Sequence, residues 1–394
     1  MLLRSLFLTA VAAHSVLLPG FAAPTASAEP DQELPPELVA LLAAQPTWST
    51  SAAMQVGAGY KDNLLLSAAG AEGSEFLRYA MELFLWRLPR GRTDFSAFLN
   101  AEQTRYLSAR TIDDEAQAFA QLEWRYRAGK TVKIAIGAQG YYLDQVFDVS
   151  DTEIRRIVAE LKVRGATFGP KVRWSFRPNW WLEAQAIAKR EKYEDGENDS
   201  RLGQGALRLG WTGRRVEISA GGEQNRRRFD RRVQYSFGGR PIDDTLLIVR
   251  ERSGDVRFSV TWDTAGNWST ATRLSTLDYD DNGPGEFGDE GPGFFNYRER
   301  KAVQEVKWSA GPWIVAVEGL AKRIDFRVQT VGFGISPPAR IKDEYGAKLR
   351  VERKLSDRWL AYFEYGWERS RSNDPLASYR VNEGLLGARW SWEK

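Results

Sequence analysis

Apolar and polar residues alternate along most of this chain with a period of two. The clearest stretch runs from Lys171 to Lys189. Val172, Trp174 and Phe176 interleave there with Lys171, Arg173, Ser175 and Arg177. A polar Pro178-Asn179 pair interrupts the run, and Leu182, Ala184, Ala186 and Ala188 then resume against Glu183, Gln185, Ile187 and Lys189. Successive side chains of a strand point to opposite faces, so the spacing predicts two strands joined by a tight antiparallel turn. One face is apolar and aromatic, and the other is mostly charged. Such a face either covers a core or meets lipid, with the charged face in water or in a wet lumen.

The hairpin recurs almost to the end of the chain. Met54, Val56, Ala58 and Tyr60 make one apolar face, Leu77 to Leu85 the next, and Ala116 to Tyr126, Val132 to Ala138, Val256 to Trp262, Tyr345 to Val351 and Trp359 to Trp367 repeat it. Glu153 to Phe176 reads as one long strand whose parity slips near Gly165, which predicts a bulge there. Short turns fall near residues 90, 129, 178, 213, 265, 311 and 356. Longer polar loops fall at 61–74, 108–115, 147–154, 194–201, 228–246, 279–295, 329–341 and 370–378. Seven turns and eight loops require about sixteen strands, within a range of 14–18, with both ends on the short-turn side. The expected fold is all-β: a transmembrane antiparallel up-and-down barrel over 51–394, with short periplasmic turns and long outer loops. Trp124, Trp180, Trp181, Trp211, Trp262, Trp268, Trp308, Trp313 and Trp359 lie near short turns and Trp392 near the chain end, as an interfacial girdle requires. A soluble sandwich has no reason to place Trp repeatedly at one end of its strands.

The ends support this. Arg4, the apolar Leu6 to Leu18 and Ala26-Ser27-Ala28 form a cleavable secretory signal over 1–28. Residues 29–50 read as a Pro-rich periplasmic lead-in with a short helical candidate at Glu37–Ala44. A loose tail is the favoured reading and a small plug the other. No later stretch reaches the roughly 20 apolar residues of a membrane helix, so a membrane form must be a closed barrel.

Composition then removes several functions. There is no Cys, so disulfide and thiolate chemistry is absent. The one His is His14, inside the signal, which removes Ser-His-Asp triads and His-ligated zinc from the mature chain. No Ser has a compelling base partner, and the chain is read as a non-enzyme. Arg4 is one of 55 cationic residues, so 54 remain against 52 acidic ones, a balance that argues against a nucleic-acid partner.

The signal, the hairpins of alternating length, the aromatic strand ends and a last strand near the C-terminus resemble Gram-negative outer-membrane β-barrels of the porin type. The resemblance is architectural and covers nearly all of the mature chain. One departure is that such barrels often end on an aromatic residue, whereas Glu393-Lys394 follow Trp392 here. It implies an outer-membrane location, contact with lipid and lipopolysaccharide, and small polar solutes as cargo; it leaves a homotrimer open.

The inward set carries both signs: Glu123, Arg125, Lys133, Lys162, Arg164, Arg173, Glu183, Lys189, Arg208, Arg257, Lys348, Arg350, Glu352 and Glu364. A dry core could not hold so many charges, whereas the lumen of sixteen strands is wide enough for water. Two loops are candidates for the narrow point. Arg226, Arg227, Arg228, Arg231 and Arg232 form a basic cluster, and Asp278 to Glu290 is acidic; facing each other, they would focus a field across a pore. The other reading of these arginines is contact with lipopolysaccharide phosphates. The acidic loop also matches a calcium-loop template at Asp278, Asp280 and Asn282, with Glu286 and Asp289 at later positions but no bidentate Glu. No other cofactor is expected. The function expected is passive diffusion of small hydrophilic solutes through a charged, water-filled lumen. The alternative is a plugged or gated barrel for export, for instance of polysaccharide, or a structural envelope protein.

Overall fold

The computed structural model describes residues 47–394, apart from 69, 149–157, 237–238, 264, 284–292, 333–334 and 394. The signal and nearly all of the lead-in therefore lie outside the described residues. The strands are β1 (Trp48–Lys61), β2 (Ser74–Arg90), β3 (Thr93–Tyr106), β4 (Asp114–Ala128), β5 (Val132–Asp148), β6 (Val158–Arg177), β7 (Trp180–Tyr193), β8 (Ser200–Thr212) and β9 (Val216–Phe229). After a two-residue pair, β10 (Gln234–Tyr235) and β11 (Pro241–Ile242), come β12 (Ile248–Thr261), β13 (Trp268–Asp281), β14 (Tyr297–Ala310), β15 (Trp313–Thr330), β16 (Ala339–Lys354), β17 (Trp359–Ser372) and β18 (Tyr379–Glu393).

All but β10 and β11 form one closed antiparallel barrel in which each strand pairs with its chain neighbour and β18 returns to β1. That makes sixteen barrel strands. Closure leaves no open edge strand, the condition for a wall that stands in lipid. Pro178-Asn179 turns the chain between β6 and β7, with Asn179 at φ 69°, a left-handed value that asparagine tolerates. The barrel starts at Trp48, slightly before the expected boundary at 51.

The outer face is apolar. Met54, Leu122, Phe168, Leu207, Val256 and Leu386 are exposed on it, and Trp48, Trp124, Trp180, Trp268, Trp313 and Trp359 mark its short-turn border. An apolar band bordered by Trp on a closed barrel is a membrane-spanning surface of the outer-membrane type.

Three details differ from the sequence expectation. β5 and β6 pair in one unbroken register from Val132–Trp174 to Asp148–Val158, so there is no bulge at Gly165. The apparent slip arises because the apolar residues of β6 change side: Leu161 and Val163 point inward and pack with Leu143 and Tyr193, whereas Glu160, Lys162 and Arg164 point out at the same end. Gly165 has another role, since a Cβ there would lie 2.2 Å from the Tyr141 ring. By the same parity Lys162 and Arg164 leave the lumen set. Lys162 lies on the outer face with Tyr142 and pairs with Asp144 at 3.6 Å. Trp181 leaves the girdle: it is buried on the inner face, while Trp180 stays outside.

Candidate functional site

The candidate site is the lumen, built by every second residue of each strand. Its most concentrated feature is an arginine cluster on β6, β8, β12 and β13. Arg173, Arg208, Arg257 and Arg273 line a recess of about 390 Å³ together with Glu183, Glu217, Glu305 and Ser219. Arg257 and Arg273 are directly opposite in the β12–β13 register. Like charges placed this way repel, and Asp255 holds them. Its carboxylate takes Arg257 Nε at 2.7 Å and Arg273 Nε at 3.5 Å, and it also pairs with Arg208. Arg208 Nη1 donates in addition to Ser219 Oγ at 3.2 Å.

One carboxylate thus serves three guanidiniums. Arg257 and Arg273 keep 50% and 45% of their side-chain surface exposed, so both present free N–H groups to the lumen. Arg173 pairs with Glu183 at 2.9 Å and lies 4.0 Å over the Trp181 ring. That stacking explains why Trp181 is turned inward. Lys171 and Arg125 converge on Glu123, and Arg125 also meets Asp94 at 3.3 Å.

The opposite wall, on β2, β3 and β16–β18, also carries both signs. Arg78 pairs with Glu102, Glu364 and Glu383, Arg350 with Glu352 and Glu364, and Arg389 with Glu82. Three arginines meet five glutamates there. Both walls of the lumen thus interleave the two signs, and Arg257 and Arg273 are the half-exposed cations of the recess. Glu123, Arg125, Lys133, Arg173, Glu183, Lys189, Arg208, Arg257, Lys348, Arg350, Glu352 and Glu364 all fall on the lumen side of their strands.

The narrowing lies elsewhere than at the arginine run of β9. β5 and β6 extend past their neighbours and reach across the mouth. Lys342 Nζ on β16 meets Asp148 Oδ2 at the end of β5 at 3.2 Å, with both side chains buried. Lys342 also pairs with Glu344 at 2.8 Å, and Glu344 with Lys322. β5 and β16 are not neighbours in the barrel, so this tie crosses the opening. A second buried cluster, including Phe229, Tyr235, Leu247, Tyr279 and Phe295, draws Tyr235 and Leu247 inward at the same end.

The five arginines expected at the constriction separate. Arg227 is a wall residue, buried at 2% exposure and ion-paired with Glu191. Arg232 is buried over the rings of Phe229, Tyr235 and Phe295. Arg231 is exposed in the loop. Arg226 and Arg228 point away from the lumen, on the outer face. This corrects the placement of Arg226 and Arg228. The signal was present in β9 itself: the even positions Val216, Ile218 and Ala220 face lipid, and Arg226 and Arg228 share their parity.

The calcium template also takes another form. Asp278 and Asp280 stand on β13, where Asp278 pairs with Arg298 at 2.8 Å and with Arg327 at 2.7 Å, and Asp280 with Arg327 at 3.0 Å. Asn282 accepts from the Ile248 N–H at 2.7 Å. Glu286 and Asp289 lie outside the described residues.

No protein-family model and no curated protein matches the sequence. Among solved structures, similarity is found to OccAB4 of Acinetobacter baumannii, with 11% identity over 89% of this chain and 99% of that one and a TM-score of 0.47. The outer-membrane-expressed OmpT of Vibrio cholerae gives 13% identity over 88% and 99%, with a TM-score of 0.45. OccK8 (OprE) of Pseudomonas aeruginosa gives 9% identity over 88% and 98%, with a TM-score of 0.46. Nothing about solute or activity follows from likeness at this level, and the barrel rests on its own strand pairing.

Proposed function

We propose that the protein is an outer-membrane channel through which small hydrophilic solutes diffuse passively, with a preference for anions. The observation that carries this reading is the cluster in which Arg257 and Arg273 share one carboxylate, Asp255, with Arg208. Half-exposed guanidiniums offer planar N–H pairs that match a carboxylate or phosphate. Contacts of this kind are weak enough to release the solute because the groups remain hydrated. Contact with lipopolysaccharide belongs to the same reading, and a homotrimer is compatible with it. Catalysis has no part in it.

The test is the reversal potential of the reconstituted protein under a salt gradient. An anion-selective value that moves toward cations in Arg257→Gln/Arg273→Gln supports the reading, and an unchanged value removes these residues from the selectivity site. A second reading, a gated or plugged barrel for export or an envelope role, is favoured by one observation: the Asp148–Lys342 tie across the mouth.

A further inference from the structure

Arg226 and Arg228 point out of the barrel among other outward arginines. In the strand register Arg226 is directly opposite Arg250, Arg228 is opposite Arg201, and Arg201 is opposite Arg190. Arg252 follows on the same face of β12. Directly opposed like charges on one face of a sheet are destabilising unless something of opposite sign lies between them. Asp230 does this for Arg190 and Arg201, at 3.3 Å and 3.5 Å. Among the described residues, nothing does it for Arg226, Arg228, Arg250 and Arg252, which form no ion pair or hydrogen bond through their side chains. Asp278 and Asp280 stand across from Arg252 and Arg250, but their carboxylates are held by Arg298 and Arg327.

The height of these arginines identifies the missing anion. Arg190, Arg201 and Arg252 each lie ten residues along their strands from Trp180, Trp211 and Trp262 at the short-turn border. Ten tilted strand residues span roughly 25 Å, the height of the apolar band, so the arginines stand at its outer edge. Just below them the same wall is built from small residues. Ala220, Gly254, Ala302 and Ala321, with Val256 and Leu274, leave a shallow, mostly apolar groove of about 850 Å³, with Arg300, Arg323 and Asp343 also on its lining. Arg252 is two residues from Gly254 at its outer end. A ligand matching both parts carries phosphate above and acyl chain below.

We propose that this face binds lipid A of lipopolysaccharide, with its phosphates bridging Arg226, Arg228, Arg250 and Arg252 and an acyl chain against the groove. The site is independent of what passes through the lumen. A phosphate between Arg226 and Arg250 would separate two directly opposed guanidiniums and accept paired N–H bonds from them, with Arg228 and Arg252 each two residues away on the same two strands.

The test uses the detergent-solubilised full barrel, with hexa-acylated, bis-phosphorylated lipid A as one probe and the same lipid lacking both phosphates as the other. Native mass spectrometry counts the bound lipid. The wild-type protein is expected to bind the phosphorylated form more tightly, by roughly tenfold or more, given how basic residues attract anionic lipid. The variant Arg226→Gln/Arg228→Gln/Arg250→Gln/Arg252→Gln is expected to lose that preference while keeping the heat-modifiable mobility of a folded barrel. Equal binding of the two probes by the wild type overturns the proposal, and this comparison stands whether or not the variant folds. A folded variant that keeps the full preference overturns it as well.

Discussion

Asp255 and the three guanidiniums around it show how little separates a structural contact from a functional one. The carboxylate is mostly buried and fixed, while Arg257 and Arg273 are half-exposed, so the same contacts that anchor the arginines leave their outer N–H groups for solute. Replacing both by Gln is expected to shift permeability several-fold toward cations. Arg226→Ala/Arg228→Ala is expected to leave the reversal potential unchanged, since those side chains never meet the lumen. Arg227→Ala belongs to stability. It removes a partner of buried Glu191, a change that costs about 3–5 kcal/mol when the remaining charge has no other partner. Lys189 and Tyr141 also hold Glu191, which places the expected loss near the low end of that range. Urea titration of the folded barrel checks it. The inward side chains of the central hairpin were readable from parity alone. What parity could not show is which inward charges have company: Asp255 gathers arginines from three strands, a contact set by barrel register and not by neighbours in sequence.

At the scale of elements, the β5–β6 hairpin carries most of what the sequence concealed. Leu143, Leu161 and Val163 pack on the lumen side while Tyr142, Glu160 and Lys162 face out and stay exposed. An apolar inner face lets this strand pair bend inward over the mouth, and in the sequence it looked like a slip of register at Gly165. Asp148→Asn weakens the tie to Lys342 and is expected to raise single-channel conductance, or the fraction of time spent open. Unchanged conductance would show that the crossing does not limit flow. Gly165→Ala brings a methyl group against Tyr141 and is expected to lower barrel stability by about 1–3 kcal/mol, as overpacking does, measured by the same urea titration. A smaller clasp joins two outer loops. The Glu72 carboxylate accepts from the Thr111 hydroxyl at 2.6 Å and from the Arg110 amide, and these hydrogen bonds hold its pKa below the ordinary 4.5. A lowered carboxyl pKa means the clasp contributes above the ordinary value and is lost as pH falls through the lowered one. Exchange protection of the Arg110 amide should follow that curve.

The whole molecule is a closed wall with three environments: a lipid face, a charged lumen and a loop-covered mouth. Strand number, turn positions and the lipid face were legible because each follows from local alternation and punctuation. The gathering of Arg208, Arg257 and Arg273 on Asp255 was not, since it depends on the register of strands after closure. That cluster is the basis of the channel reading, and the crossing hairpin is its main rival. Single-channel recording in a planar bilayer separates them. Stable steps on the order of a nanosiemens, as expected of a wet sixteen-strand lumen, together with an anion-selective reversal potential, are the outcome predicted for an open charged pore. A folded barrel that inserts and stays silent, or that conducts without selectivity, would contradict it.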